Sequence, residues 1–270
     1  MAKKFEFVVA TTGQEDLSLA KKMNLHAPAV ITNQCSKYQI LQEDNIVMVG
    51  TATRGVGVNR NIGINLTDAE YAFIVDDDMV FYDNVMDILN HALETHSDAD
   101  VIIFDFDYVR DSKIVRKRMQ KSERVKLHNC LNYGICCALV KVSSIRQKNI
   151  SFTTLFGGGC LYGSGEDSLF YLECVRKKLK IYTYAESVGI NQYRESTWFK
   201  GYNDKFFYDK GAWIACAFPK IKFLMICYFT MRFKRRSALP AGTIVKRLSQ
   251  GTKGYKKLVA YEEIETWNID

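Results

Sequence analysis

The sequence predicts an α/β fold in which helices cover both faces of a mostly parallel central sheet, giving three layers. Two observations support this prediction. Short runs rich in β-branched and aromatic residues alternate with segments whose apolar residues recur at helical spacing. Most of these runs end in polar or acidic residues, as strands do where they reach the ligand-binding edge of an open α/β sheet.

Taken in order, the apolar runs predict six strands, at residues 5–10, 29–32, 46–49, 71–75, 101–104 and 133–142. Helical spacing predicts a helix at 15–23, a second ending near residue 66, a third beginning near residue 85 and a fourth beginning near residue 166. Residues 111–126 are strongly charged and predict a solvated loop. The alternative is a flap over a charged substrate.

Composition indicates a globular intracellular protein. The 270 residues are 47% apolar and 13% aromatic, and they contain eight cysteines without a C-x-x-C pair. Such cysteines argue against a zinc site and a disulfide framework and for a reducing compartment. The first apolar run is short and interrupted by Glu6, so we expect no signal peptide and a cytoplasmic location.

The clearest candidate site is the acidic triplet Asp76, Asp77 and Asp78, which directly follows the apolar run at 71–75. Adjacent carboxylates repel one another, and a divalent cation relieves that repulsion. Aspartate oxygens are the ligands that Mg²⁺ and Mn²⁺ prefer. The triplet therefore predicts a metal site, and the alternative is a solvated acidic turn.

A second candidate site is the segment 156–170, which contains five glycines within nine positions. Glycines such as Gly158 and Gly159 allow the backbone to approach a ligand closely. Glu166 and Asp167 then begin a helix, where acids also suit the helix dipole, so helix capping is the alternative. A metal that binds a diphosphate and a separate carboxylate that accepts a proton are together what sugar transfer requires.

At these positions the sequence resembles a known family. Arg60-Asn61-Ile62-Gly63, residues 71–78 and Gly165-Glu166-Asp167 resemble, in this order, the signatures of family 2 glycosyltransferases of GT-A fold. The triplet matches their D-x-D motif, and Glu166-Asp167 matches their E-D motif. Residues 196–202 resemble a bacterial subgroup that builds surface polysaccharides. The resemblance spans residues 5–210 and implies an inverting, Mn²⁺- or Mg²⁺-dependent enzyme that uses a nucleotide diphosphate sugar.

The resemblance also implies a role for each matching residue. Asp78 would coordinate the metal, and Asp76 would contact the metal or the donor's ribose and sugar. Asp167 would be the general base, and Glu166 would support the acceptor or the metal shell. Arg60 would lie near the nucleotide base or brace the D-x-D strand. The remaining donor contacts are expected from Thr11, Thr12, Asn33, Asp77, Gly158 and Gly159.

Two departures from the family pattern stand out. Residues 32–36 read Thr-Asn-Gln-Cys-Ser where relatives have V-D-D-G-S, which leaves the contact to the nucleotide base open. The late histidine that some relatives use as a metal ligand is replaced by Gln192 or Tyr193. Metal binding would then depend on carboxylates and phosphates alone.

The C-terminal region differs in charge from the rest of the chain. Residues 219–261 contain eleven Lys and Arg and no acid, whereas the rest has 26 basic and 30 acidic residues. The aromatic-rich stretch 213–233 precedes most of these charges and is too interrupted for a membrane span. It resembles a helix lying in an anionic membrane interface. The alternative is a core helix followed by a solvated basic tail.

These observations predict a catalytic domain at 1–210, with a nucleotide-sugar half at 1–110 and an acceptor half at 111–210, and an extension at 211–270. We expect a UDP-sugar donor, a saccharide acceptor that is lipid-linked, and a peripheral position at the inner face of the membrane. The basic C-terminal region contains no recognition motif that would indicate nucleic-acid binding, so we expect no nucleic-acid partner. The alternatives are a sugar-phosphate nucleotidyltransferase and a non-catalytic sugar-nucleotide-binding module. The first would need a basic loop after the first strand, and this sequence has none there.

Overall fold

The computed structural model describes residues 3–110, 113–117, 119, 121–192, 199–264 and 266. The chain divides into two compact units. Unit 1 comprises Met1–Thr153 and Asp167–Arg194, and unit 2 comprises Thr154–Glu166 and Glu195–Asp270. This division differs from the predicted boundary at residue 210, because the glycine-rich segment groups with the C-terminal helices.

Unit 1 is built on one sheet, and the described residues contribute eleven strands to it. These strands are β1 Phe5–Thr12, β2 Ala29–Gln34, β3 Gln39–Glu43, β4 Ile46–Thr51, β5 Tyr71–Asp76, β6 Met79–Phe81, β7 Val101–Arg110, β8 Lys113–Lys117, β9 Arg124–Val125, β10 Ala138–Lys141 and β11 Ile181–Gln192. The order across the sheet is β3-β4-β2-β1-β5-β10-β7-β11-β6, with β8 paired to β7 and β9 paired to β11.

The six longest strands, β1, β2, β4, β5, β7 and β11, run in the same direction, as predicted for the sheet, and the antiparallel strands are the short ones. Strands β4, β2, β1 and β5 run parallel and form the predicted part of the sheet. Strand β10 runs antiparallel between β5 and β7, and β3, β6, β8 and β9 are short antiparallel additions. Strands β3 and β8 follow or precede their partners by a short connection, whereas β10, β6 and β9 pair with strands distant in sequence, which no local pattern reveals.

The described residues form eight α-helices. They are α1 Ser18–Lys22, α2 Val56–Leu66, α3 Val85–Thr95, α4 Val142–Gln147, α5 Glu166–Arg176, α6 Asp204–Ala217, α7 Lys222–Phe233 and α8 Ala241–Lys257. On β1, Phe7 faces a core that includes apolar residues of α1 and α3. Its neighbour Val8 faces the opposite side, with Ala72 and Val142 at the start of α4. Successive strand residues point to opposite faces, so helices cover both sides as predicted.

Three parts of unit 1 and unit 2 differ from the sequence prediction. The expected loop at 111–126 contains β8 and β9, and β11 was not predicted at all. The stretch 213–233 forms parts of two helices, α6 and α7, instead of one. The break follows Phe218 because Pro219 has no N–H to continue the hydrogen-bond ladder of α6.

Unit 2 is held together by the packing of α6 against α8. The closest approach is at Gly251, where an added Cβ would lie 1.9 Å from the carbonyl oxygen of Tyr208, so only glycine fits. The Tyr208 hydroxyl donates to the Val259 carbonyl at 2.8 Å.

No single helix in the described ranges is long and apolar enough to cross a membrane. Asp204–Ala217 and Pro219–Phe233 reach that size only together, and they meet at 115°.

Candidate functional site

The acidic triplet lies where β5 ends and turns into β6. The three carboxylates have different partners, although they are adjacent in sequence. The Arg60 guanidinium donates to Asp76 at 2.8 Å, and the Thr11 hydroxyl donates to Asp77 at 2.5 Å. Asp78 is exposed and interacts with Asn191 on β11. The parallel pairing of β1 with β5 brings Thr11 to this strand end, because Ala10 lies opposite Asp76.

Arg60 joins the two acidic motifs of the sequence. It lies on α2 with a side chain only 4% exposed, and its second nitrogen donates to Asp167 at 3.1 Å. The guanidinium also lies over the Phe152 ring, 5.5 Å from its centroid. Phe152 in turn stacks on Phe170 of α5 at 4.3 Å. A planar guanidinium has several donors in a fixed geometry, so one side chain can align both aspartates.

A polar network lies at the end of β1. It includes Gln14, which was not among the predicted site residues. The buried Asn33 amide accepts from the Gln14 backbone N–H at 3.0 Å and donates to the Gln14 carbonyl at 2.7 Å. The Gln14 side chain donates to the Thr11 hydroxyl at 3.1 Å and lies 3.4 Å from the carbonyl of the exposed Thr12. Asn59 on α2 donates to the Thr11 carbonyl at 3.0 Å. Asn33 therefore holds the loop after β1 in place.

The electrostatics of the triplet bear on whether a metal fits. Although Asp78 as a residue is exposed, desolvation of its carboxylate by the surrounding protein, and then repulsion from Asp76 and Asp77, raise the pKa of Asp78 against an opposing hydrogen bond from Asn191. Within the described ranges, no three His, Cys, Asp or Glu side chains form a group able to hold a metal ion. Mg²⁺ is commonly bound by one or two carboxylates plus substrate phosphates. At the triplet such a cation would have to rely on Asp76 and Asp78 together with the oxygens of a bound diphosphate.

Asn191 is a second residue that the sequence analysis missed. It is 8% exposed, and its amide lies 3.7 Å from the Met79 sulfur, directly after the triplet. Strand β11 contains Glu186 and Ser187 among its apolar residues, so its sequence lacks the run that predicted the other long strands. The alternative candidate Tyr193 and residues 194–198 lie outside the described residues.

The glycine-rich segment with Gly158 and Gly159 belongs to unit 2, as does Glu166. Its turn is closed by the Gly157 N–H, which donates to the Tyr162 carbonyl at 2.9 Å. Helix α6 then holds the end of the segment through two side chains one turn apart. Asp209 accepts from the Gly163 N–H at 3.0 Å, and Trp213 lies against Gly165.

Gly165 is the most constrained glycine of this segment. Its φ of +120° disfavours any other residue, and an added Cβ would lie 2.4 Å from Trp213 Cδ1. The Glu166 carboxylate accepts from the Gly165 N–H at 3.1 Å, beside the start of α5. Gly165 therefore links Glu166 to α6 within unit 2, through its N–H on one side and its contact with Trp213 on the other.

The central part of the chain matches a known protein family. Residues 31–150 match the family model described as Glycosyl transferase family 2. This segment is less than half of the chain but includes Arg60 and the acidic triplet. No curated protein matches the sequence.

Solved structures of TarS from S. aureus share the fold. The structure of TarS residues 1–349 in complex with UDP-GlcNAc aligns with a TM-score of 0.58 at 16% identity, covering 98% of this chain and 79% of that one. The corresponding complex with UDP has a TM-score of 0.56 at 16% identity and covers 98% and 78%. The predicted GT-A fold is thus confirmed, and residues 31–150 match family 2 glycosyltransferases as the sequence motifs predicted.

Proposed function

We propose that the protein is an inverting glycosyltransferase that moves a sugar from a UDP-sugar to a saccharide acceptor in the synthesis of a surface polysaccharide or glycan. The main support is the contact of one buried side chain, Arg60, with both Asp76 and Asp167. The family match over residues 31–150 and the UDP-GlcNAc and UDP complexes of TarS support the same donor class.

In this proposal the donor diphosphate binds beside the triplet. Asp76 and Asp78 would hold Mn²⁺ or Mg²⁺, which when bound offsets the negative charge of the UDP leaving group. Arg60 fixes the direction of the Asp76 carboxylate. The Thr11–Asp77 hydrogen bond fixes the turn that follows. Held this way, the acids need little rearrangement when the donor binds.

Asp167 would act as the general base. The Asp167 side chain is 30% exposed, so an acceptor hydroxyl can reach it, while the ion pair with Arg60 holds the carboxylate in place. The acceptor oxygen would bond to the anomeric carbon as the bond from that carbon to the diphosphate breaks. The hydroxyl proton would pass to Asp167. A single displacement of this kind inverts the anomeric configuration.

The acceptor and the location of the enzyme are part of the same proposal. A lipid-linked saccharide would be presented at the inner face of the membrane, so the enzyme would work there as a peripheral protein. The basic composition of residues 219–261 supports this position because cations attract anionic headgroups.

Calorimetric titration with UDP in Mn²⁺ and in chelator tests the donor site, and Asp167→Asn tests the base. The asparagine keeps the shape of Asp167 but removes its basicity. We expect normal UDP affinity in this variant and a loss of transfer on the order of 10²-fold or more. Turnover close to that of the wild type would contradict the assignment.

A further inference from the structure

Helix α7 has an apolar side that the protein leaves exposed. We define its outer face as Phe223, Leu224, Tyr228 and Met231, which are 75%, 64%, 43% and 65% exposed. These positions follow helical spacing, so they form one continuous stripe. A helix that is apolar on all sides is ordinarily buried on all sides, and a large exposed apolar patch marks an interaction surface.

The core of unit 2 uses the opposite side of the same helix. Ile226, Phe229 and Phe233 are at most 9% exposed. The Phe229 ring packs edge-on against Trp213 of α6 at 5.9 Å and stacks on Phe233 at 5.8 Å. Because these inner residues already complete the packing against α6, the outer face is not needed to stabilise the unit.

Basic side chains lie at both ends of the outer face. Lys220 precedes α7, Arg232 lies in its last turn and residues 234–236 follow it as Lys-Arg-Arg, all of them exposed. Arg232 donates to the Tyr228 hydroxyl at 2.7 Å, which places a cation at the edge of the apolar stripe. No acid occurs in residues 219–261 to neutralise this charge locally.

We propose that the outer face of α7 docks on an anionic membrane, with its apolar side chains in the interface and the flanking cations on lipid phosphates. Protein interfaces are depleted of lysine at their centre, whereas an interfacial helix combines an apolar face with flanking basic residues. This inference depends on the peripheral location proposed above but not on sugar transfer. Within the stretch 213–233 that the sequence suggested for the interface, Trp213 is only 2% exposed and belongs to the core instead.

Vesicle flotation without donor or acceptor tests the proposal. The wild-type protein should bind vesicles containing about 30% phosphatidylglycerol and should not bind neutral phosphatidylcholine vesicles. Phe223→Ser/Leu224→Ser/Met231→Ser should weaken binding at least about tenfold, because it removes most of the inserted apolar area. Replacing Lys234, Arg235 and Arg236 with Gln should also weaken it, and salt near 1 M should release part of the wild type.

A matched control carries Tyr38→Ser/Ile40→Ser, which removes two exposed apolar side chains of unit 1, 78% and 71% exposed. This control should bind vesicles as the wild type does. Circular dichroism checks that each variant is folded. UDP affinity should be unchanged in all of them, so failure of this inference is distinguishable from failure of the proposed activity. Wild-type protein that ignores anionic vesicles would overturn the proposal, as would a dimer that the triple serine variant dissociates without any vesicle binding.

Discussion

Replacing Arg60 tests whether one side chain aligns both acidic motifs. Arg60→Met keeps much of the side-chain volume and removes both ion pairs, to Asp76 and to Asp167. Hydrogen bonds to charged groups contribute roughly 1.5–3 kcal/mol each. The Asp76 and Asp167 side chains are 38% and 30% exposed and can be partly rehydrated, which reduces the loss. We expect unfolding of unit 1 to become easier by about 2–3 kcal/mol in total.

This loss corresponds to a fall in Tm of about 4–12 °C for a unit of this size. The Tm of Arg60→Lys should fall less, because the lysine ammonium can still pair with one of the two carboxylates. It cannot hold both in the planar arrangement of a guanidinium. Transfer should fall on the order of 10²-fold in both variants, since a misplacement of about 1 Å is enough for that effect. Differential scanning calorimetry and initial transfer rates measure the two quantities.

Arg146→Met is the matched control. Arg146 donates to the carbonyls of Ile64 and Thr67 at 3.0 and 2.7 Å, at the end of the helix that carries Arg60. The control should lower Tm while leaving transfer unchanged at a temperature where the protein is folded. If Arg60→Met kept wild-type Tm and turnover, or if Arg146→Met lost activity equally, Arg60 would have no specific positioning role.

Three further predictions concern the two acidic sites. Desolvation, followed by repulsion from neighbouring acids, raises the pKa of Asp78 in the folded protein. The apo protein therefore loses stability as pH rises from the unfolded-state pKa of Asp78 through its folded-state pKa. Asp78→Asn should therefore not lower Tm at neutral pH but should abolish metal-dependent UDP binding; a drop of several degrees, or unaltered UDP affinity, would refute this. Gly165→Ala should destabilise unit 2 by about 1–3 kcal/mol, measurable in urea, because of its φ of +120° and the contact with Trp213. Asp209→Ala should lower transfer without changing UDP affinity, and Asp209→Asn should retain most transfer because its side-chain oxygen can still accept from Gly163; equal losses in both would argue against this hydrogen bond.

The parts of the fold that the sequence predicts are those coded locally. Strand β5 is a continuous apolar run and β1 is one interrupted only by Glu6, and the acids that follow β5 mark its end. By contrast, β11 pairs over a long sequence distance with β7, and its pattern is broken by two register shifts. Its residue Asn191 was missed for that reason.

The candidate site shows the same limit. The motif order identified Arg60, Asp76 and Asp167, but not that a single guanidinium contacts both aspartates. Such a contact depends on how α2 and α5 pack, which no local pattern encodes. Asn33 lies near the end of β2, where the strand pattern placed it. Its side-chain amide, however, is hydrogen-bonded to the N–H and the carbonyl of Gln14.

The central claim is inverting transfer from a UDP-sugar with Asp167 as the base. It is tested most directly by following a panel of UDP-sugars by ¹H NMR in the presence of diamagnetic Mg²⁺ with wild-type protein and Asp167→Asn. We expect that wild-type protein releases UDP from one donor, that the first product has the inverted anomeric configuration, and that Asp167→Asn slows this release on the order of 10²-fold. A first product with retained configuration, or equal release by both proteins, would contradict it.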